Sequence, residues 1–235
     1  PDGSESQLFD LDADEGEMTN LFSRYPERAA VMAAQISAWA DDIGFSFDTK
    51  AAPTPPLPTI AVLASNQLLR FVNHGVKGDT HSLELDGESW LELPTFRAPQ
   101  VAGGRSLQMK GTIRSTSPSG VIFAHGGNRA GYSVYLEEYH LCFAACVNNK
   151  RTVVRSSSAI TGAASFEANW NSKGELFLKM NGKLVGKSAV GIMHHEPGDS
   201  IQIGADMIQP VGNYKTPNHF SGTIENLTFK YPSGN

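Results

Sequence analysis

The sequence predicts a mainly β protein, a β-sandwich of the jelly-roll type, with a short N-terminal segment attached. Three observations predict this fold class. From Ile60 to Tyr231, apolar and polar residues alternate with a period of two, as in half-buried strands. Turn signals rich in glycine recur through this stretch at intervals of roughly ten residues. A helical apolar spacing occurs only near the N-terminus, between Tyr25 and Ile43.

Two dipeptides in the β region are the clearest sequence signals for turns. Asp86–Gly87 lies between the alternating stretches 82–85 and 91–93, and it predicts a tight turn. Asn181–Gly182 follows the alternating Leu176, Leu178 and Met180, and it is the sequence most typical of a two-residue hairpin. Many short strands joined by such turns indicate a sandwich or jelly roll.

The N-terminal segment predicts one short strand and one amphipathic helix. Alternation over Gln7–Leu11 predicts the strand. Pro26 as first helical residue and Gly44 beyond the end predict a helix from Pro26 to about Asp42. Its apolar stripe comprises Met32, Ile36, Trp39 and Ile43. A strand and a single helix do not make a domain, so we expect this segment to pack on other protein surface.

Composition divides the chain into three parts. Residues 1–48 hold the strand and helix, and residues 60–235 hold the β domain. Between them, residues 49–59 contain Pro53, Pro55, Pro56 and Pro58, a density that favours extended, semi-rigid geometry. We therefore predict a linker at 49–59.

Charge and hydropathy narrow the classes of partner. The net charge of the 235-residue chain is -5, which offers no basic field for nucleic acid. The longest apolar runs, such as Ile60–Ala64, are too short to span a bilayer. Because the first residue is Pro1 and not Met, we expect the chain to derive from a longer protein.

The spacing of the two cysteines predicts that they do not form a disulfide. Cys142 and Cys146 lie four residues apart in an apparent strand, which separates them by roughly 13 Å. Both are predicted to be small buried hydrophobic residues on an inner sheet face.

Two stretches invite a metal interpretation. The acidic run Asp10–Glu17 begins like an EF-hand loop, but position 6 is Glu15 and position 12 is Leu21, so it lacks the required glycine and closing glutamate. We interpret it as a turn. His194–His195–Glu196 lacks a ligand spacing, because adjacent residues of an extended chain face opposite ways. A metal site is therefore left unassigned.

The acidic run also belongs to a longer pattern. Leu8, Phe9, Asp10 and Leu11, followed by Asp14, Glu17, Asn20 and Leu21, resemble the C-terminal end of the sulfatase (arylsulfatase) family, although Glu15 replaces a usual proline. The catalytic motif of that family is not matched, since Thr116–Gly120 lacks both the convertible Cys or Ser and the closing Arg. The resemblance implies that the chain is a non-catalytic C-terminal piece of a secreted or periplasmic sulfatase.

The β region resembles the laminin G-like or concanavalin A-like jelly rolls. The motifs that carry the resemblance are "SLELDG", "GVIFAHGG", "GYSVYL", "GELFLKMNGKLVG", "SIQIGAD" and "FSGTIENLTF". Such domains bind calcium, glycans or proteins through loops at one edge. The resemblance therefore leaves a calcium ion open in the jelly roll, whereas the residues themselves indicate no cofactor.

The candidate binding residues lie in polar loops of the β region. A tyrosine can stack on a sugar face, and basic side chains can pair with sulfate oxygens. The predicted carbohydrate-binding residues are Arg129, Lys150, Arg151, Tyr214, Lys215 and His219. Trp90 and Trp170 are left open between core and sugar platform. No catalytic residues are assigned.

Three functions are consistent with the sequence. The first is a module that binds carbohydrate or positions a parent sulfatase on a sulfated glycan. The second is a structural module that packs on the missing catalytic domain or mediates self-association. The third is a glycoside hydrolase-like enzyme on the sandwich, for which no carboxylate pair stands out.

Overall fold

The structure is a computed structural model that describes residues 7–10, 14, 19–32, 35, 59–64, 67–93 and 98–231. The chain divides into two compact units, Pro1–Pro56 and Leu57–Asn235. Among the described residues, no helix is long and apolar enough to cross a membrane.

The first unit contains a helix at residues 26–32, and residue 35 is also helical. Pro26 is its first residue, as predicted. The rest of the predicted helix, with Ile36, Trp39 and Ile43 of its stripe, lies outside the described residues, as does the predicted linker apart from Thr59.

The predicted strand at Gln7–Leu11 is wrong for residues 7–10, which form no strand. Instead, Leu8 is held by the chain that precedes the helix. Its backbone N–H donates to Asn20 Oδ1 (3.1 Å), and its carbonyl accepts from Leu21 N (2.7 Å). Asp14 Oδ2 accepts from Thr19 N (2.6 Å). These short polar side chains satisfy local backbone groups, as expected of a turn.

The described residues of the second unit form seventeen strands. The first nine are β1 (Thr59–Ala64), β2 (Gln67–His74), β3 (Lys77–Gly78), β4 (Ser82–Asp86), β5 (Trp90–Leu93), β6 (Leu107–Ser115), β7 (Gly120–Gly126), β8 (Ala130–Glu137) and β9 (His140–Val147). The remaining eight are β10 (Lys150–Ala159), β11 (Ala163–Trp170), β12 (Glu175–Met180), β13 (Lys183–Ala189), β14 (Ile201–Ile203), β15 (Ala205–Asp206), β16 (Asn218–His219) and β17 (Ser221–Lys230).

The strands form two layers. The first sheet has the order β10-β9-β8-β7-β14-β5-β2, and the second has the order β17-β6-β11-β12-β13, with β4 on β17 and β3 on β4. Strand β1 joins them, because it pairs antiparallel with β2 and parallel with β17. Strands β9 and β10 contact β12 and β13, so the two sheets lie face to face. This is the predicted β-sandwich.

The main core fills the space between the layers. Phe71 and Phe123 from the first sheet and Met109, Leu178 and Phe229 from the second are fully buried. The rings of Phe123 and Phe229 meet across the interface at 4.8 Å. Burial of each such side chain stabilises the fold by about 1.5–3 kcal/mol before entropy is counted.

The two turn signals have different outcomes. Asn181–Gly182 is confirmed as a hairpin turn: both residues have positive φ, and Met180 pairs with Lys183. Asp86–Gly87 also turns the chain, with Asp86 Oδ1 accepting from Ser89 N (2.9 Å). However, β4 pairs with β17 and β5 pairs with β2 and β14, so this turn carries the chain from one sheet to the other.

The outer face of the first sheet carries a second apolar cluster. Its members are Val121, Ala124, Tyr135, Cys142, Ala144, Cys146 and Val211. The cysteines are therefore buried and free, as predicted, but the inner face was the wrong location. Leu141, Phe143 and Ala145 occupy the inner face, and the intervening cysteines point the other way.

Candidate functional site

Three of the predicted residues lie together at one rim of the sandwich. Arg129 is in the turn between β7 and β8, and Lys150 and Arg151 begin β10. Strand pairing makes the two turns neighbours, since Ala130 and Lys150 both lie opposite Val147. Asn149 N donates to the Arg129 carbonyl (3.2 Å). We call Arg129, Lys150 and Arg151 the basic rim.

The basic rim is exposed and positive. All three side chains are exposed, and none forms an ion pair with another described residue. Arg151 is fixed, because its Nη2 donates to the Pro210 carbonyl (3.0 Å). The remaining N–H groups of the rim are available to an anionic ligand.

Close packing beside the basic rim requires a glycine. A Cβ at Gly127 would lie 2.7 Å from Gln209 and 3.4 Å from Asp199 Oδ2. This Asp199 oxygen is buried and lacks a hydrogen-bond partner in the described structure, and burial raises the pKa of the carboxyl.

No group of three or more His, Cys, Asp or Glu residues able to hold a metal occurs among the described residues.

The loop between β15 and β16, residues 207–217, covers the second apolar cluster; we call it the covering segment. Val211 of this loop is fully buried on the sheet. Asn213 N donates to Tyr135 Oη (3.2 Å), and the ring of Tyr214 meets that of Tyr135 edge-on at 4.8 Å. The segment thus seals a sheet face that would otherwise expose apolar side chains and two thiols.

Tyr214 is mainly an anchor of the covering segment. Its hydroxyl donates to Asp206 Oδ2 (2.7 Å). Burial, and then the charge of Asp206, raise the pKa of Tyr214, so the donor keeps its proton. Burial also raises the pKa of Asp206 to about 6, although hydrogen bonds from Tyr214 and nearby backbone oppose the shift. The predicted stacking of Tyr214 on a sugar remains a prediction.

The other two predicted residues lie on other elements. Lys215 is exposed on the covering segment. His219 is in β16, where it neighbours the start of β7, whereas the basic rim lies at the end of that strand. The six predicted residues are thus divided among the basic rim, the covering segment and β16.

His219 instead belongs to an aromatic group that the sequence did not reveal. The rings of His74 and Trp90 stack at 4.3 Å, and His219 meets Trp90 edge-on at 5.8 Å. His74 Nε2 lies 3.3 Å from Glu92 Oε2. Cross-strand pairing of β2 with β5 creates this group, and no sequence spacing signals it. Trp90 is half-buried, whereas Trp170 is core and donates to the Gly191 carbonyl (3.2 Å).

No protein-family model matches the chain, and no curated protein matches its sequence. Solved structures do. The binding domain of botulinum neurotoxin serotype D is 14% identical over 70% of this chain and 45% of that chain, with a TM-score of 0.51. A structure of botulinum neurotoxin type C is 16% identical over 74% and 47%, with a TM-score of 0.50.

Domains LG4-5 of the mouse laminin alpha1 chain are also similar, at 16% identity over 64% of this chain and 40% of that chain, with a TM-score of 0.48. This chain spans less than half the length of all three. The similarity to the two botulinum neurotoxin structures is one of fold: the second unit is a jelly-roll β-sandwich, as the sequence predicts.

Proposed function

We propose that the jelly roll is a non-catalytic module that binds a sulfated polysaccharide at the basic rim. The observation that carries this proposal is the exposure of Arg129, Lys150 and Arg151 on two adjacent turns, without an acidic partner among the described residues. Basic groups held at fixed positions suit sulfate oxygens, because such hydrogen bonds are charge-assisted.

The structural neighbours support a carbohydrate ligand. Botulinum neurotoxin type C depends on two ganglioside molecules to enter cells. Because this chain covers 47% of that one, the ganglioside contact belongs to the neighbour as a whole. For this chain, the proposal of a carbohydrate ligand rests on the basic rim.

The proposal includes a parent enzyme. The residues that resemble a sulfatase C-terminus include Leu8, Asp14 and Asn20, and in the structure these three make the hydrogen bonds of the turn before the helix. A secreted or periplasmic sulfatase would gain local substrate concentration from a module that holds its polymer. The module itself supplies no catalytic step.

Binding to a sulfated polysaccharide and to its desulfated form tests the proposal. Isothermal titration should show binding of the sulfated polymer only. The Arg129→Gln/Lys150→Gln variant should bind it about tenfold more weakly, because each exposed charge pair contributes up to about 1 kcal/mol. Arg70→Gln/Lys173→Gln, which removes the same charge from exposed positions elsewhere, should behave as wild type. Failure of the folded wild-type protein to bind any sulfated polymer would refute the proposal.

A further inference from the structure

The outer face of the second sheet is open to solvent. On β6, β11, β12 and β17 the inward residues Met109, Ala168, Leu178 and Phe229 are fully buried. The residues that alternate with them therefore point outward. These are half-buried or exposed, and no described segment covers them.

Strand register arranges the outward residues in two rows across the sheet. The first row is Lys230, Gln108, Asn169, Phe177 and Lys187. The second row is Thr228, Lys110, Glu167, Lys179 and Leu184. We call the four lysines of these rows, Lys110, Lys179, Lys187 and Lys230, the lysine face.

Glu167 fixes the centre of the lysine face. Its two carboxylate oxygens contact Lys110 Nζ (3.1 Å) and Lys179 Nζ (3.2 Å). Asn169 Nδ2 also donates to it (2.8 Å), and Gln108 Nε2 donates to Asn169 Oδ1 (2.7 Å). Partial burial acts to raise the pKa of Glu167, but the bonds from Asn169 and the two lysines outweigh it and lower the pKa. Two ammonium groups are thus held in place before any ligand arrives.

The charge of these rows contrasts with that of the chain. Four lysines and one glutamate give a formal charge of +3, on a protein whose net charge is -5. Lys187 and Lys230 are exposed and form no ion pair with a described residue. The nearest further acids by register lie one row beyond on either side: Glu225, opposite Thr112, and Glu175, opposite Ala189. The face therefore complements an anion.

The same surface contains a shallow depression. It is lined by Lys110, Thr112, Ser165, Glu167 and Lys179, and its floor includes Gly111. Phe177 is half-buried in the adjoining row and offers an apolar surface to a sugar ring.

We propose that the lysine face is a second subsite, which binds a linear sulfated polysaccharide lying across the strands. The inference rests on the proposed function and adds a surface on the sheet opposite the one that carries the basic rim. From β17 to β13 the lysines span four strand spacings, roughly 19 Å, which suits an oligosaccharide of several units. Sulfate groups pair with the lysines, while the amides of Gln108 and Asn169 meet hydroxyl groups.

The test compares three double variants in titrations with the sulfated polysaccharide. Lys187→Gln/Lys230→Gln alters the lysine face, Arg129→Gln/Lys150→Gln alters the basic rim, and Arg70→Gln/Lys173→Gln is the charge-matched control. The face variant should bind the long polymer about tenfold more weakly than the control. The decline of its affinity with salt should also be shallower, because fewer counterions are released.

The outcomes separate the two proposals. A face variant that matches the control, beside a weakened rim variant, overturns the lysine face and leaves the basic rim standing. A weakened face variant beside an unaffected rim variant does the reverse. Absence of binding by wild type removes both. An equal loss of affinity for desulfated polymer would indicate a neutral sugar and would also overturn the lysine face.

Lysine acetylation of the wild-type protein gives a second measurement that needs no variant. The polymer should protect Lys187 and Lys230 from the reagent, while Lys173 stays reactive. Protection that is equal at all three lysines, or absent at the first two, contradicts the proposed subsite.

Discussion

At the scale of single residues, two buried titratable groups act on stability in opposite directions. Burial lowers the pKa of His125 to about 3, below the value of 6.5 for a free histidine. As the pH falls from 7 to 5, His125 becomes protonated in the unfolded chain but stays neutral in the folded protein. This difference lowers the free energy of unfolding by about 2 kcal/mol. His125 remains neutral in the core, with Nδ1 at 2.9 Å from Tyr132 Oη.

Asp206 has the opposite sign. Its pKa of about 6 lies above the unfolded value of 3.8, so the folded state takes up a proton between pH 7 and 5 that the unfolded state does not. Wild type therefore gains about 1 kcal/mol from Asp206 over this range. Asp206→Asn cannot titrate, and between pH 7 and 5 its free energy of unfolding should fall by about 1 kcal/mol more than that of wild type.

Urea denaturation at both pH values measures this difference. Asp10→Asn, a change at an exposed carboxyl of the N-terminal unit, is a control that should follow wild type. Parallel behaviour of Asp206→Asn and wild type would show that Asp206 is already protonated, or is solvated, at pH 7.

At the scale of elements, the covering segment protects the two thiols. Cys142 and Cys146 are buried beneath it, and Cys146 Sγ lies 3.4 Å from the Val211 carbonyl. Burial raises the pKa of Cys142 to about 11 and raises that of Cys146 as well, so both remain protonated thiols. Reaction with a thiol reagent thus needs both an opening of the segment and loss of a proton.

Tyr214→Ala should expose these thiols. The change removes the hydrogen bond to Asp206 and the ring contact with Tyr135, which hold the covering segment on the sheet. We expect the rate of reaction with Ellman's reagent to rise by at least about tenfold, because a loss of 1.4 kcal/mol in local stability is a tenfold change in the open population. Tyr139→Ala, at a 40% exposed tyrosine, is the matched control. Equal rates in both variants would show that another element protects the thiols.

Local pattern predicted the strands well and their partners poorly. The Asn181–Gly182 hairpin followed from sequence, because a two-residue turn fixes the pairing of the strands that it joins. The Asp86–Gly87 turn has similar residues but connects the two sheets. Its outcome depends on pairing with strands distant in sequence, because β4 pairs with β17. Strand register also assembled the His74–Trp90 stack and the lysine face, and neither has a sequence spacing.

One signal for the covering segment was present in the sequence. Strands β7, β8 and β9 are buried along nearly their whole length, so both of their faces are covered. Near-continuous apolar runs such as His140–Val147 are typical of strands buried on both faces. Read in that way, the run would have placed the cysteines beneath a covering element and not in the main core.

At the scale of the whole molecule, the chain has a net charge of -5 but carries two positively charged surfaces, the basic rim and the lysine face. The basic rim lies at an end of the first sheet, and the lysine face lies on the outside of the second. The two proposed subsites on one module should raise the apparent affinity for a long polymer, which can occupy both, more than for a short one. We therefore expect the affinity to increase with polymer length.

The jelly roll should fold and bind without the N-terminal unit. Every member of the main buried cluster of the described residues lies between Ile60 and Phe229, so the second unit supplies this core from its own strands. Both proposed subsites lie there too. A fragment of residues 57–235 should therefore melt in one cooperative transition and bind the sulfated polysaccharide with the affinity of the full chain. Calorimetry and titration of the two proteins side by side measure both properties. A fragment that aggregates, or melts without cooperativity, would show that the jelly roll depends on the first unit for its stability, while a cooperative fragment with weakened binding would place part of the glycan site in residues 1–56.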